Sequence, residues 1–334
     1  MTSLIDRRGR TLRDLRISVT DRCNFRCGYC MPADLFGPGH AFLPKDELLT
    51  FEEIHRIAGI AVASGVVKLR LTGGEPLLRH GIDNLVGLLA SLPGHPDLAI
   101  TTNGVLLAHH AERLALAGLH RVTVSLDAID PAVFGKMNGT GADVSRVLSG
   151  IEAAKVFGLP VKVNAVVQRG VNDHQILPLI RWARESGVTM RFIEFMDVGE
   201  TNGWNRASVV SAAEIVEIIS REFPLVEVSD RHGATALRYR HQDGNGEIGI
   251  IASVTRPFCG DCSRLRLSPE GRLFTCLFAG EGHDLKGLLR GGADDATLAA
   301  VLGGIWGDRD DRYSELRDSQ SQPTHKAEMS YLGG

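Results

Sequence analysis

Six short runs of apolar and β-branched residues punctuate the first two-thirds of this chain, at 15–20, 66–72, 98–102, 121–126, 161–167 and 190–195. Several are apolar almost without a break, as strands of a parallel sheet covered on both faces are. Helical patterns fall between them at 50–64, 82–91, 109–117, 144–157 and 173–186, the first opening on Thr50 with Glu53 three residues on, a capping-box pattern. A strand followed by a helix, six times over, leaves few architectures: a parallel sheet, doubly wound or curled into a full or partial barrel. After about Phe223 the pattern changes to close-set strands at 225–229, 234–241, 247–253, 265–268 and 273–277, then short helical patterns near 285–289 and 296–306. This part reads as a smaller, separate C-terminal region. The polar stretch 307–328 has few apolar anchors and reads as mobile.

With 334 residues and 43% hydrophobic content, the chain supports one large domain, or one large and one small. A net charge of −3 gives no reason to expect nucleic acid or an anionic membrane. No run approaches the roughly 18 apolar residues of a membrane span, and the polar N-terminus is no secretory signal, so a cytoplasmic location is expected. Six cysteines in a chain of this length are no disulfide scaffold.

The cysteines fall into two groups of three. Cys23, Cys27 and Cys30 form C-x3-C-x2-C directly after the first expected strand. Three thiolates on one short loop can wrap three corners of a [4Fe–4S] cube and leave the fourth iron open to a small molecule. Zinc fits poorly here, since zinc knuckles favour four ligands and the loop offers no fourth Cys or His. Thr72-Gly73-Gly74-Glu75-Pro76 sits at the same end of the second strand. Its glycines admit close backbone approach to a ligand, and Glu75 is placed to accept a bond from an ammonium group. Cys259 and Cys262, with Cys276, give C-x2-C-x13-C. Zinc stays open for this second group, because C-x2-C is a common zinc half-site. No fourth ligand stands out; Asp261, His232, His241 and His283 are arbitrary choices. Gly244-Asn-Gly246-Glu-Ile-Gly249 matches a nucleotide-binding pattern literally but precedes a strand, so it reads as a hairpin turn. Arg16, Lys68, Arg70, Lys162 and Arg191 lie within otherwise apolar strands, where burial without a partner is costly. Arg and Lys in such positions suit a polyphosphate.

The triad together with the Gly-Gly-Glu-Pro segment resembles the radical S-adenosylmethionine (SAM) superfamily. Further motifs narrow the match: Leu15 to Cys27, Lys68 to Pro76, Thr101-Thr-Asn-Gly104, Val124-Ser125-Leu-Asp127, Lys162-Val-Asn164, Arg191 to Met196, Phe258 to Arg266, and Met329 to Gly334. In this order they resemble the GTP 3′,8-cyclase family of molybdenum cofactor biosynthesis. The resemblance implies an α/β fold, an incomplete (β/α)6 TIM-type barrel closed by a smaller C-terminal α+β domain, with the division at 1–223 and 224–334. It implies two [4Fe–4S] clusters, one on Cys23, Cys27 and Cys30, the other on Cys259, Cys262 and Cys276. Tyr29, Gly74, Ser125 and Met196, with Asn103, would contact SAM. Arg16, Lys68, Arg70, Thr101, Lys162, Arg191, Arg264, Leu265 and Arg266 would contact GTP. Arg264, Arg266, Gly333 and Gly334 would act in catalysis, the Gly-Gly end reaching into the site; Leu332 stands where the family commonly has Ile. The implied reaction takes hydrogen from C3′ of GTP with a 5′-deoxyadenosyl radical and joins C3′ to C8. Implied partners are a flavodoxin- or ferredoxin-type reductant and a downstream cyclic pyranopterin monophosphate synthase; a homodimer is compatible. The alternatives are another two-cluster radical SAM enzyme acting on peptides, and a non-catalytic iron–sulfur or zinc redox sensor. The sensor leaves the Gly-Gly-Glu-Pro segment and the strand cations unexplained.

Overall fold

The computed structural model describes residues 3–228, 235–317 and 325–333. The expected β/α units form as β1 (Asp14–Ser18), α1 (Phe51–Ala63), β2 (Lys68–Thr72), α2 (Ile82–Ala90), β3 (Asp97–Thr102), α3 (Leu107–Leu116), β4 (Arg121–Ser125), α4 (Pro131–Asn138), α5 (Val144–Val156), β5 (Val161–Val167), α6 (Ile176–Ser186), β6 (Thr189–Glu194) and α7 (Ala212–Ser220). There follow β7 (Leu225–Val228), β8 (Leu237–His241), β9 (Glu247–Ile251), β10 (Arg264–Leu267), β11 (Arg272–Phe274), β12 (His283–Asp284), α8 (Lys286–Arg290), α9 (Asp295–Gly307), α10 (Tyr313–Leu316) and α11 (Met329–Leu332).

Strands β1 to β6 pair in parallel, in order. The C-terminal strands do not make a sheet of their own. They extend the same sheet at both flanks, in the order β12-β11-β10-β1-β2-β3-β4-β5-β6-β9-β8-β7. Strand β10 joins β1 and strand β9 joins β6, both parallel; β10–β11–β12 and β9–β8–β7 then run antiparallel. Unpaired strand edges expose backbone donors and acceptors, and these additions cover both edges of the parallel sheet. The turn between β8 and β9 holds Gly244 and Gly246, as expected of a hairpin.

Side chains alternate across the strands. One face carries Leu15 and Ile17, Leu69 and Leu71, Leu98 and Ile100, Val122 and Val124, all buried in one apolar cluster with Ile54, Ile57, Leu85, Leu114 and Ile180 of the helices. The other face carries Asp14 and Arg16, Lys68 and Arg70, Thr101, Arg121, Lys162 and Asn164, Arg191, Arg264 and Arg266, around a single cavity. The helices therefore seal one side of the sheet and leave a polar, cationic interior on the other.

The stretch 307–328, expected to be mobile, is anchored where it is described; residues 318–324 lie outside the described range. Arg309 and Arg317 are each 4% exposed. Arg317 donates to Asp197 at 2.8 Å, and Arg309 to the carbonyl of Cys262 at 2.7 Å. Polarity misled the sequence reading because these charges find buried partners. Among the described residues no helix is long and apolar enough to cross a membrane.

Candidate active site

The loop after β1 carries the first triad and packs directly on the loop after β2. Gly74 donates to the Thr20 carbonyl and Glu75 to the Arg22 carbonyl, both at 2.8 Å. A β-carbon on Gly74 would stand 2.3 Å from the Arg22 oxygen, so the two glycines are required by the approach of the cysteine loop itself. Helix α4 props the far side. Phe134 meets Phe25 edge to face at 6.0 Å, and the Asn138 carbonyl accepts from the Arg26 amide at 2.8 Å.

Glu75 does not face the cavity, contrary to its expected role as acceptor for an ammonium. It is 1% exposed, and its oxygens accept from Leu77 N at 3.0 Å, Thr102 Oγ1 at 2.7 Å and Asn103 N at 2.7 Å. It ties the ends of β2 and β3 together, and burial pushes its carboxyl up to about 7. Asn103 Nδ2 donates to Asn24 at 2.7 Å and lies 4.0 Å from the Cys23 sulfur. Tyr29 donates to Asp127 at 2.8 Å, and Asp127 also accepts from Val166 N. Burial pushes the Asp127 carboxyl up to about 6. Gly74, Ser125 and Met196 line the same cavity as Tyr29 and Asn103. Burial also pushes up the thiols of the first triad, Cys23 to about 11.

Across the cavity, β10 and the loops beside it bring Cys259, Cys262 and Cys276 to the same space. Arg264 donates to the Cys262 sulfur at 3.1 Å and 3.3 Å. Burial opposes the Cys262 thiolate, but Arg264 and Arg309 outweigh it and bring that thiol down to about 6. Cys276, without such a partner, is pushed up by burial to about 12.

Between the triads stand the strand cations. Parallel register sets Arg266, Arg16 and Arg70 abreast on β10, β1 and β2. Arg70 on β2 and Arg191 on β6 both donate to the Thr123 hydroxyl on β4, at 3.1 Å and 3.2 Å. Thr101 accepts from Arg70 at 3.0 Å. The Nε atoms of Arg16, Arg70 and Arg191 are buried without an acceptor. Burial, with repulsion from neighbouring cations, lowers Arg16 to about 9, Lys68 to about 8 and both Arg70 and Arg191 to about 10; Lys162 is lowered as well. Asp14 faces Lys68 at 3.9 Å, the main counter-charge in this row. Such a set of donors calls for a polyanion.

The C-terminal segment enters the site. Arg266 donates to the Gly333 carbonyl at 2.7 Å, and a β-carbon on Gly333 would lie 2.3 Å from Thr72. Gly334 lies outside the described residues. Leu265 is the exception among the expected contacts. Its side chain is fully buried in the apolar cluster on the opposite face, because alternation turns it away from Arg264 and Arg266. Sequence reasoning passed over Thr123, Arg121 and the carboxylates Asp14 and Asp127; only Asp127 stood in a motif that was noticed. The cavity measures about 530 Å3, within the range of nucleotide-sized ligands.

Residues 17–183 match the family described as Radical SAM superfamily, and residues 188–315 match Molybdenum Cofactor Synthesis C. The fold is similar to that of Streptococcus suis SuiB solved with S-adenosylmethionine, at TM-score 0.62 and 16% identity, covering 93% of this chain and 75% of that one. It is also similar to methylornithine synthase, at TM-score 0.50 and 19% identity, over 64% and 63% of the two chains. Fold and site together define a radical SAM enzyme, a class that works with an iron–sulfur cluster and SAM. GTP 3′,8-cyclase of Acidothermus cellulolyticus is 52% identical, over 98% of both chains. Those of Xanthomonas axonopodis pv. citri and Staphylococcus saprophyticus are 48% and 47% identical, over 98% and 99% of both chains. The chain belongs to the GTP 3′,8-cyclase family.

Proposed function

We propose that this enzyme converts GTP to (8S)-3′,8-cyclo-7,8-dihydroguanosine 5′-triphosphate, an early step of molybdenum cofactor biosynthesis. The observation that carries the reading is one cavity lined by both cysteine triads, with buried, acceptor-poor cations between them.

The residues suit clusters better than single ions. Among the described residues no group of three Cys, His, Asp or Glu side chains could hold one metal ion. A [4Fe–4S] cube needs no such convergence, since each thiolate takes a separate corner. Cys23, Cys27 and Cys30 would hold one cluster, and Cys259, Cys262 and Cys276 a second. The first, with SAM bound, would supply the one-electron reduction of SAM on which hydrogen abstraction from C3′ depends.

The protein's own work is placement. Gly74 gives SAM close backbone access, with Tyr29, Asn103, Ser125 and Met196 around it. Arg16, Lys68, Arg70, Thr101, Lys162 and Arg191 hold the triphosphate, whose roughly four negative charges answer the unpaired Nε donors. Arg264 and Arg266 stand on the side of the second triad, where Arg266 also fixes the Gly333 carbonyl.

In this reading residues 1–223 form an incomplete barrel and residues 224–334 close its open side. The bridging of β2, β4 and β6 through Thr123 supports the curl, since a flat sheet keeps such strands apart. A flavodoxin- or ferredoxin-type reductant would supply electrons, a cyclic pyranopterin monophosphate synthase would take the product, and the enzyme would work in the cytoplasm.

The test is anaerobic reconstitution, counting iron and sulfide, then SAM, reductant and GTP. About eight irons per chain and GTP-dependent cyclised product are expected. 5′-Deoxyadenosine formed without any change to GTP would sink the cyclase reading; zinc in the second triad would sink its two-cluster part.

A further inference from the structure

The second triad lies within an 18-residue stretch, with Cys259 and Cys262 on one short turn and Cys276 beyond the β10–β11 hairpin. Cys259 opens a single 3-10 turn ending at Asp261, Cys262 precedes β10, and Cys276 follows β11. What reaches across them comes from the two ends of the chain. Residues 4–12 form a tight hairpin, with a bridge between Ile5 and Thr11 and a bond from the Leu12 amide to the Leu4 carbonyl at 3.0 Å. Asp6 closes it: Oδ1 accepts from the amides of Arg8 and Arg10, both at 2.9 Å.

The other carboxylate oxygen of Asp6 accepts from Arg10 Nε at 2.6 Å and from Arg309 Nη1 at 3.2 Å. All three side chains are at most 2% exposed. Arg10 Nη1 donates to the Cys259 carbonyl at 2.8 Å. Arg309 Nη1 donates to the Cys262 carbonyl at 2.7 Å, and its Nε to the carbonyl of Thr275, beside Cys276, at 3.0 Å. Trp306 locks the arrangement, stacking under Arg309 at 4.6 Å and donating to the Arg10 carbonyl at 3.1 Å.

We propose that Asp6, Arg10 and Arg309 form a clasp that positions the two loops carrying the second triad, so that the N-terminal hairpin serves the metal site at the far end of the sequence rather than the one it precedes. One carboxylate orients two guanidinium forks, and each fork reaches the backbone of a cysteine-bearing segment. A guanidinium suits this task because its planar donors are fixed relative to one another; an ammonium cannot reach two carbonyls along set directions. These are positioning residues. The inference rests on the second triad holding a cluster.

The test uses full-length protein reconstituted anaerobically, comparing wild type with Arg309→Lys and Asp6→Asn. Arg309→Lys keeps the charge and loses the fork; Asp6→Asn keeps the shape and loses the charge that aligns both guanidinium groups. Iron release to a chelator is followed over time, with SAM cleavage by the first cluster measured alongside. In both variants half of the iron is expected to leave at least tenfold faster than in wild type, while the other half and SAM cleavage stay at wild-type levels. Release of all iron at the wild-type rate overturns the clasp, and so does parallel loss of both halves, which marks general unfolding. Wild-type protein with only about four irons defeats the underlying two-cluster reading instead. The two failures are thereby distinct.

Discussion

Lys68 stands on β2 with Asp14 at 3.9 Å and with Arg16, Arg70 and Arg121 near enough to repel it. Burial first, then these cations, lower its ammonium to about 8. A phosphate wants the protonated form. Below pH 8 the free enzyme already has it; above pH 8 nucleotide binding must take up a proton. The Kd for GTP should therefore be flat from pH 6.5 to 7.5 and rise toward tenfold per pH unit above 8. In Lys68→Arg that rise should move to higher pH, and a titration by calorimetry over pH 6.5–9.5 decides it. Arg266→Ala removes a buried cation and the partner of the Gly333 carbonyl. Product formation should fall by about 100-fold or more, a loss of roughly 3 kcal/mol typical of charge-assisted bonds, with the iron count unchanged. Unaltered turnover would take Arg266 out of the site. The strand cations were legible in the sequence because charge inside an apolar strand is costly without a purpose. The side chains of Leu265 and Glu75 turn away from the cavity although their motif neighbours line it. In a strand every second residue faces away, and Glu75 turned out to be spent on backbone amides.

At the scale of elements, the two loops that meet over Gly73 and Gly74 make the first triad depend on β2 as much as on β1. Gly74→Ala would put a β-carbon 2.3 Å from the Arg22 oxygen and 2.6 Å from its carbon, and backbone cannot yield as a side-chain tip does. The expected result is loss of about four irons and of SAM cleavage, with the second triad still loaded; overpacking of this kind costs about 1–3 kcal/mol. A variant retaining full iron and full SAM cleavage would refute this dependence. Four helices were missed, α4, α7, α10 and α11, and for the first two the start signals were in plain view. Asp130 caps α4 through Ala132 N and Val133 N, with Pro131 at its first position. Ser211 and Glu214 form a capping box for α7. Helix α4 follows close on β4, α7 comes only after a long loop from β6, and both are shorter than α1 and α5. Helix α4 matters for chemistry as well, because Phe134 and Asn138 support the cysteine loop.

For the molecule as a whole, β1 to β6 associate in the parallel sheet that was expected, but the joining of the C-terminal strands to its two flanks was not foreseen. No local pattern reveals that β10 will lie beside β1, since the pairing of Arg16 with Arg266 spans most of the chain. The same holds for the tail, where Gly333 adopts a left-handed φ of 72° against Thr72. Gly333→Ala forces strain and a clash together. Product formation should drop by about 100-fold, as a displacement of roughly 1 Å at a site commonly brings. The melting temperature should move by no more than about 2 °C, because a chain end contributes little to the core. A normal rate with a lowered melting temperature would invert that account.

The sheet order also imposes a timetable on synthesis. Strand β1 leaves the ribosome early, but its second neighbour is 250 positions behind it, from Arg16 to Arg266. At about 5–20 residues per second, that edge waits roughly 12–50 s for its partner. Throughout that interval the first cysteine loop is already made while the wall facing it does not exist. The first triad thus stays open on that side until β10 and the loops bearing Cys259, Cys262 and Cys276 have been made.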